Sequence, residues 1–420
     1  MSAAGILLAH GCTRSLAKNS HISPLHLSNA PEVTTVRIGF LPLLDAAPLI
    51  IAKEKGLFNN YGMTGVELVQ YDDWQTLQSA LVLGPLGLAG AHIPSPLPYL
   101  IMAGKTANGE LARTYILARL NVNGQSISLA NIYKELDLHL DSSTLKESVE
   151  RAKAGGPGMK LKMAIPCVGG THDLWLRYWL AAGDINPDTD VMIVVVPPAQ
   201  MVANMQTGTV HAFCVDDPFA LQLVKTRSGF SALTTGELWA DHPEKAFVMQ
   251  ADWVNHYPKA TQALLMAVQE AQIWCDLEAN WAEMVATLVD GHYLQSSQSE
   301  LIDRLRGNFN LGDDRWFKNR SNRIKFWQDQ ASYPYKSHDT WFVTECIRWG
   351  YLPPNIDIQG VVNAVNREDL WRQAARAIGQ TSVILKEPQS RGIETFFDNQ
   401  QFDPHAPLAY LNRQPIRKRA

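Results

Sequence analysis

The sequence predicts an α/β protein with two lobes. Segments of strand character alternate with helix-periodic segments in two groups, one beginning at Val36 and the other at Lys162. After Trp253 the chain becomes mainly helical. Alternation at this spacing indicates open parallel sheets with helices on both faces. Two such units with a helical return indicate two lobes and a ligand cleft between them, because ligands bind beyond the carboxyl ends of strands in open α/β sheets.

The first unit begins with a strand that ends in a proline-marked loop. Strands are predicted over residues 36–43, 66–71, 89–93 and 115–122, and helices over residues 46–55 and 74–83. Gly56 closes the first helix and Gly84 with Pro85 stops the second, as expected of the two residues that most often interrupt a helix. The strand at 115–122 is placed to cross between the lobes.

The second unit repeats the alternation. Strands are predicted over residues 162–166, 190–196 and 211–215, helices begin at Thr171 and Ala199, and the return contains helices over 261–277, 281–289, 337–349 and 367–377. The tail from Gln380 is rich in proline, glycine and polar residues and is predicted to wrap as a loop. We therefore divide the chain into an N-terminal segment (1–31), a first part of lobe 1 (32–125), lobe 2 (126–245) and a return to lobe 1 with the tail (246–420).

Composition excludes several classes of protein. The 420 residues carry a net charge of −4 without a dense Lys/Arg run, so nucleic acid is not a predicted partner. No apolar stretch reaches the length of a membrane span. The five cysteines show no CxxC and no zinc-like spacing, and four lie in apolar surroundings typical of buried thiols. Neither a metal nor a cofactor is predicted.

A helix start suited to an anion follows the strand at 162–166. Gly169, Gly170 and Thr171 precede an apolar, helix-periodic run that ends at Gly183. The glycines allow backbone N–H groups to approach a ligand, Thr171 is the predicted N-cap, and the helix dipole favours an anion. His172 adds a ring donor. A small oxyanion fits this pattern, but so does a well-capped structural helix, and the motif alone leaves both interpretations open.

The N-terminus resembles the end of a bacterial lipoprotein signal. A short apolar run at residues 4–9 leads to Gly11 and Cys12, and a Ser/Asn-rich tract continues to about Pro31. A basic n-region is missing and the apolar run is short for a signal. Cys12 is therefore either an incidental cysteine in a polar tail or the lipidation site of a signal peptide that starts upstream of Met1.

Several segments resemble the nitrate- and bicarbonate-binding proteins of ABC transporters. They are FLPLLDAAPLIIAKEKG at residues 40–56, AHIPSPLPY at 91–99, residues 120–125, the helix that follows Gly169, residues 196–204, HPEKAF at 242–247, residues 333–338 and 366–371, and SRGIETFFD at 390–398. The resemblance extends over nearly everything from Ala30 onward and includes Cys12 with its neighbours. It is nearer to the nitrate-binding lipoproteins of cyanobacterial-type uptake systems than to the bicarbonate binders.

That resemblance implies a type II periplasmic-binding-protein fold and a role without catalysis. The implied protein is a lipoprotein anchored through Cys12 at the periplasmic face of the plasma membrane. It captures nitrate, and also nitrite, and delivers the anion to an ABC permease with its ATPase subunits. By motif position the resemblance assigns ligand contacts to the following residues: Trp74, Gln125, His172 and Lys245, with loop backbone near Gly170, Thr171 and Pro198.

The chemistry of these side chains suits nitrate. Nitrate is a flat monoanion that only accepts hydrogen bonds, and an indole N–H, an amide, a ring N–H and one ammonium are donors. Lys245 is expected to supply the single compensating charge, without the planar fork by which arginine binds carboxylate or phosphate. We therefore expect a site made chiefly of donors.

One segment departs from the family's pattern. Asp216-Asp217-Pro218-Phe219 stands where an acidic residue, proline and tryptophan are usual. Asp217 is included among the candidate ligand contacts, because an acceptor beside Pro218 would suit the hydroxyl of bicarbonate. Adjacent carboxylates point apart on a strand or turn, so no metal site is predicted from Asp216 and Asp217.

Three alternative functions follow from the sequence. The first is a bicarbonate-binding protein, and the second is a cytoplasmic nitrate sensor of the same fold. Cys12 argues against a sensor, which needs no lipidation site. The third is an enzyme of thiamine-precursor or desulfonation chemistry, for which the sequence has no nucleophile–base pairing, metal motif or phosphate-binding loop.

Overall fold

The computed structural model describes residues 30–105, 109, 111–156, 159–385 and 390–417. The candidate lipidation residue Cys12 lies outside the described residues. The strands are β1 (Thr35–Phe40), β2 (Gly65–Gln70), β3 (Gly90–Pro94), β4 (Thr114–Arg119), β5 (Gln125–Ala130), β6 (Lys162–Ile165), β7 (Met192–Val195), β8 (Ala212–Asp216), β9 (Gly229–Thr234), β10 (Lys245–Gln250), β11 (Phe309–Asn310), β12 (Trp316–Phe317), β13 (Glu394–Thr395) and β14 (Gln401–Phe402).

The α-helices follow the predicted alternation and then dominate the return. They are α1 (Ala47–Glu54), α2 (Leu57–Asn60), α3 (Trp74–Val82), α4 (Leu97–Met102), α5 (Lys146–Ala154), α6 (Thr171–Ala182), α7 (Met201–Gln206), α8 (Phe219–Lys225), α9 (Ala251–His256), α10 (Pro258–Cys275), α11 (Trp281–Asp290), α12 (Gln298–Leu305), α13 (Lys336–Arg348), α14 (Ile358–Val365), α15 (Glu368–Ala377) and α16 (Pro407–Arg413).

Two five-stranded sheets have the same arrangement. The first has the order β2-β1-β3-β10-β4 and the second the order β7-β6-β8-β5-β9. In each sheet four strands run in the same direction, and the fifth is antiparallel to both of its neighbours: β10 in the first sheet and β5 in the second. We call the first sheet with its helices lobe 1 and the second sheet with its helices lobe 2. The α/β prediction is confirmed.

The prediction of parallel sheets is wrong for β5 and β10, which we call the inserted strands. β5, β9 and β10 were not predicted as strands, and β5 and β10 run antiparallel to their neighbours. The alternation of apolar residues has the same period in both strand directions, so the sequence pattern carries no information about direction. A strand that begins directly after a crossing between lobes also lacks the flanking helix that marks the others.

The chain crosses between the lobes twice, from β4 to β5 and from β9 to β10, and these two crossings lie side by side. Asn123 N–H donates to the His242 carbonyl at 3.1 Å, and Glu244 N–H donates to the Asn121 carbonyl at 3.1 Å. Asn123 (φ 58°) and Gly124 (φ 102°) adopt left-handed backbone conformations and turn the chain into β5. Asparagine and glycine tolerate this region best. The two inserted strands therefore begin next to each other, β5 at Gln125 and β10 at Lys245.

The helical return contacts both lobes. Trp341 of α13 stacks on Trp175 of α6 with ring centroids 4.9 Å apart, and Asp339 of α13 forms a buried ion pair with Arg119 of β4. Helix α10 packs against α1 and α15 in lobe 1. Helix α13 therefore bridges the two sheets. The lobe boundaries proposed from the sequence remain a prediction.

The C-terminal tail is more ordered than predicted. It contains the β13–β14 hairpin and α16, where the sequence predicted only loop. Phe396 is 3% exposed and packs edge-on against Trp239 at 5.3 Å and Tyr178 at 5.5 Å. Trp239 donates its indole N–H to Glu394 at 2.8 Å. The polar, proline-containing composition concealed a short hairpin that is anchored by buried aromatic rings.

The predictions on cysteines are confirmed by the structure. The four thiols in apolar surroundings are buried and free: Cys167, Cys214, Cys275 and Cys346. Among the described helices, none combines the length and apolar character that crossing a bilayer requires.

We expect Trp341→Ala to lower the free energy of unfolding by about 3–5 kcal/mol, because it removes a fully buried ring and leaves a cavity between α6 and α13. Urea unfolding followed by tryptophan fluorescence measures this loss. Trp316→Ala is the matched control: Trp316 is 61% exposed, and surface substitutions usually change stability by about 0.5 kcal/mol or less. Equal losses in the two variants would contradict the bridging role of α13.

Candidate functional site

Side chains of both lobes meet in a buried cluster beside the two crossings. None of its members is more than 3% exposed. Throughout, the cluster comprises Asp45, Trp74, His92, Gln125, Thr171, His172, Asp216, Glu244 and Lys245. Five of the predicted site residues are therefore brought together, and four cluster members were missed.

Lys245 lies at the centre of the cluster. Its Nζ is 2.7 Å from Asp216 Oδ1, 2.8 Å from Glu244 Oε1 and 3.0 Å from Asp45 Oδ2. Burial opposes the charged form, but the three carboxylates outweigh it and hold the pKa of Lys245 well above its usual value. Asp216 belongs to lobe 2 and Lys245 to lobe 1, so this ion pair joins the lobes.

The structure corrects the expectation of a site made chiefly of donors. The Lys245 ammonium is shared by three carboxylates rather than left free for an anion. Asp45 lies in the segment that follows β1, Asp216 is the last residue of β8, and Glu244 directly precedes Lys245. Choosing residues by their capacity to donate to nitrate passed them over.

Helix α6 supplies Thr171 and His172. Gly170 is the N-cap residue, with extended backbone (φ −74°, ψ 170°), and Thr171 is the first helical residue. The prediction of Thr171 as N-cap is therefore wrong. Its hydroxyl instead donates to Glu244 Oε1 and accepts from Gln125 Nε2 at 3.2 Å. The hydroxyl is used to connect the two lobes and not to cap its own helix.

Each of the two cluster histidines is paired with a carboxylate. His172 Nε2 lies 2.6 Å from Asp216 Oδ2, and His92 Nε2 lies 2.7 Å from Asp45 Oδ1. An ionised carboxylate only accepts, so Nε2 carries the proton in both rings. The buried Nδ1 atoms have no partner. His172 Nδ1 can therefore donate to a ligand only when the ring is an imidazolium. His92 belongs to the same cluster.

Trp74 provides an unused donor. It is the first residue of α3, whose N-cap Asp73 accepts from Thr76 N–H at 2.8 Å. The buried indole N–H has no hydrogen-bond partner. The ring lies 5.4 Å from that of His92 and 5.5 Å from Lys245 Nζ. Buried indole N–H groups normally have an acceptor, and a bound anion beside Lys245 would supply one.

Asp216 and Glu244 have different surroundings. His172 and Lys245 outweigh the burial of Asp216 and hold its pKa well below the usual range. Burial raises the pKa of Glu244 against the opposing effect of Lys245. Gln125 donates to both carboxylates, at 3.1 Å to Asp216 Oδ1. Asp216 is thus held as the anion, whereas Glu244 is displaced toward its neutral form.

The structure places Asp217 away from the cluster. Arg304 donates to both of its oxygens, each at 2.9 Å. Asp216 and Asp217 therefore point apart, as predicted. Pro198 is buried and begins the 3₁₀ helix Pro198–Gln200 after β7. It lies at the same carboxyl edge of the second sheet as Thr171, because β6 and β7 are parallel.

One group of side chains resembles a metal site. His172, Asp216 and Glu244 bring potential ligand atoms to within 4.8 Å of one another. Lys245 Nζ donates to both of these carboxylates, so an ammonium already serves as their cation. We therefore do not identify them as metal ligands.

We expect Lys245→Met to lower the free energy of unfolding by about 3–5 kcal/mol near neutral pH, because it leaves three buried carboxylates without their cation. In the wild-type protein the lowered pKa of Asp216 stabilises the fold above the unfolded value of 3.8. That contribution is lost only as pH falls through the folded value. The variant lacks much of this shift, so its deficit is nearly constant above about pH 5 and narrows as the pH falls below about 4.

Urea unfolding at about pH 3 and pH 7 measures this deficit. Lys225→Met is the control, since Lys225 is exposed and lies 3.3 Å from Glu300. Loss of such a surface pair costs about 1 kcal/mol or less. A deficit of Lys245→Met that matches the control, or that does not change with pH, would contradict the arrangement of charges described above.

Comparison with known proteins identifies the family. Residues 29–289 match the NMT1-like family. The chain is 49% identical to the nitrate/nitrite binding protein NrtA of Nostoc sp., over 99% of this chain and 96% of the relative. It is 36% identical to the bicarbonate-binding protein CmpA of Synechococcus elongatus, over 92% of this chain and 88% of the relative.

A solved structure supports the same assignment. The crystal structure of the periplasmic nitrate-binding protein NrtA from Synechocystis superposes with a TM-score of 0.88 at 51% identity, over 92% of this chain and all of that chain. The predicted periplasmic-binding-protein fold is thereby confirmed. The chain belongs to the NMT1-like family and, within it, to the family of the nitrate/nitrite-binding proteins.

Proposed function

We propose that this chain is the substrate-binding component of an ABC importer and captures nitrate, and also nitrite, between its lobes. The observation that carries the proposal is the buried ammonium of Lys245, with the unpartnered indole N–H of Trp74 beside it. Relatives at about half identity are named nitrate/nitrite binding proteins, which supports the same ligand.

The anion is bound by exchange of partners at Lys245. A nitrate beside the ammonium accepts from Lys245 and from the Trp74 indole, and one carboxylate contact of the lysine is given up. Charge-assisted hydrogen bonds of this kind are about twice as strong as neutral ones. Because the ammonium is fully buried, the anion enters only when the lobes separate, which breaks the contact between Lys245 and Asp216.

The same surroundings favour binding over catalysis. Cys167 is buried and close to the charges of the cluster, and burial raises the pKa of its thiol well above the usual value. It therefore stays protonated and is a poor nucleophile. The carboxylates are occupied by Lys245 and the two histidines. We therefore assign the cluster a binding role without chemistry.

Bicarbonate is the second candidate ligand, and a specific observation favours it. The carboxylates of Asp216 and Glu244 are acceptors that could bind the hydroxyl of bicarbonate, which the sequence alone had not shown. The bicarbonate-binding relative is less similar than the nitrate-binding one, and we therefore keep nitrate as the ligand. We no longer propose Asp217 as the acceptor for the hydroxyl of bicarbonate, because Arg304 donates to both oxygens of that carboxylate.

We expect nitrate to bind the wild-type protein and Lys245→Glu to abolish this binding, because the substitution replaces the only ammonium of the described cluster by a fourth carboxylate. Calorimetric titration with nitrate, nitrite and bicarbonate, with and without calcium, measures affinity and preference. We expect nitrate to bind more tightly than bicarbonate, because the nitrate-binding relative is more similar to this chain than the bicarbonate-binding one.

Circular dichroism must show that Lys245→Glu is folded. Lys225→Glu is the control, because it changes an exposed lysine by the same charge and should bind nitrate as the wild type does. Nitrate binding by Lys245→Glu at wild-type affinity would contradict the assignment of Lys245. Tighter binding of bicarbonate with calcium than of nitrate would favour the second candidate.

The proposed location is the periplasmic face of the plasma membrane. We propose that Cys12 carries the lipid, because it follows a short apolar run as the cysteine of a bacterial lipoprotein signal does. A single acyl chain gives only marginal membrane binding, and bacterial lipoproteins combine several chains on one cysteine. The tract from Thr13 to Pro31 would then separate the lipid from the lobes, which deliver the anion to the permease and its ATPase subunits.

We expect Cys12→Ser to abolish incorporation of labelled palmitate and to release the protein from the membrane fraction, when the chain is expressed from its native gene in a bacterium that processes lipoproteins. Cys167→Ser is the control and should retain the label, because that thiol is buried in the folded protein. A wild-type chain that is unlabelled and retained in the cytoplasm with Met1 intact would contradict the anchor and favour the sensor.

A further inference from the structure

We propose that this protein captures nitrate together with a proton, and that Glu244 carries that proton as a neutral acid which donates its Oε2–H to the bound anion. The inference rests on the proposed function and deepens it. It adds Glu244 as a residue that determines which oxyanion the cluster accepts.

The two oxygens of Glu244 have opposite surroundings. Oε1 accepts from the Lys245 ammonium, the Gln125 amide and the Thr171 hydroxyl. Oε2 is buried and has no hydrogen-bond partner. A carboxylate with three donors on one oxygen and none on the other places its proton on the free oxygen. Protonated there, Oε2 is a donor that needs an acceptor, and nitrate offers only acceptors.

The other two carboxylates of the cluster lack such a free oxygen. Asp45 is bonded through one oxygen to His92 and through the other to Lys245. Asp216 is bonded through one oxygen to His172 and through the other to Lys245. Among the described members of the cluster, Glu244 alone has an oxygen free to hold a proton toward a ligand.

Charge balance requires the proton. Even with both histidines charged, the lysine and the two imidazolium rings only balance Asp45, Asp216 and Glu244. An added nitrate is then an uncompensated charge in a buried site, and such charges are expensive to bury. If either histidine is neutral, the deficit is larger. A proton on Glu244 restores neutrality when the anion binds.

The groups that face Glu244 do not remove this requirement. They are Lys245, which follows Glu244 directly and begins β10, Asp216 at the end of β8 and His172 on α6, all of which are counted above. His242, in the crossing segment, has its Nδ1 3.8 Å from Oε2. Burial lowers the pKa of His242 to about 3, so this ring stays neutral and adds no charge.

Nitrate and bicarbonate differ in where the proton between Glu244 and the bound anion comes from. Nitrate brings none, so its binding draws one from solution onto Glu244. Bicarbonate has a hydroxyl of its own, which can donate to an ionised Glu244. We therefore expect nitrate binding to be linked to proton uptake and bicarbonate binding to be nearly independent of it.

Calorimetric titration of the full-length protein with nitrate, in buffers of different ionisation enthalpy, measures how many protons are taken up per nitrate bound. For wild-type protein we expect uptake that rises toward about one proton per nitrate on the alkaline side, where the affinity falls by up to about tenfold per pH unit. In Glu244→Gln the amide donates in place of the acid at every pH. Its uptake should be lower by about one proton and its affinity should vary less with pH.

Glu67→Gln is the matched control, because it removes an exposed carboxylate paired with Arg37 on β1 and should leave both quantities unchanged. Nitrate binding by wild-type protein without proton uptake between about pH 6 and pH 9, or equal uptake in Glu244→Gln and wild type, would overturn the inference. If Glu244→Gln fails to fold, the proton count of the wild type alone decides. Absence of nitrate binding at every pH would instead contradict the proposed function.

Discussion

The contact between the Lys245 ammonium and three carboxylates is the interaction on which the rest of the site depends. It joins lobe 1 to lobe 2 through Asp216 and, with His172, holds the pKa of that carboxyl well below its usual range. It also determines when an anion can bind. A cation surrounded by carboxylates attracts an anion only when one contact is exchanged or one carboxylate is neutralised. Buried ion pairs contribute little net stability, so their retention here is consistent with a role in ligand binding and lobe closure.

The geometry follows from one repeated topological feature. Each sheet receives an antiparallel strand that starts directly after a crossing from the other lobe, and Gln125 and Lys245 are the first residues of these two strands. Because the crossings are hydrogen-bonded to each other, the two side chains are fixed at the boundary between the lobes. Helix α13 and the aromatic contacts of Trp341 connect the lobes on a second side. The anion site is therefore placed where relative movement of the lobes changes its contacts most.

Much of this could be predicted from sequence. Strands such as β1 and helices such as α3 and α6 have strong periodicity and clear end signals, and the predicted donors Trp74, Gln125, His172 and Lys245 meet in one cluster. The strand direction of β10 could not be predicted, since the apolar alternation is the same in both directions. Glu244 was missed because a charged residue beside a lysine usually lies in solvent, and only the tertiary fold shows that both are buried.

The central claim is that an anion binds at Lys245, between the lobes. The most direct measurement is a crystal structure of the wild-type protein with nitrate bound. We expect a nitrate within hydrogen-bond distance of Lys245 Nζ and the Trp74 indole N–H, with Glu244 Oε2 facing one of its oxygens. A nitrate bound elsewhere, such as beside Arg304, with the Lys245 contacts to all three carboxylates unchanged, would contradict it.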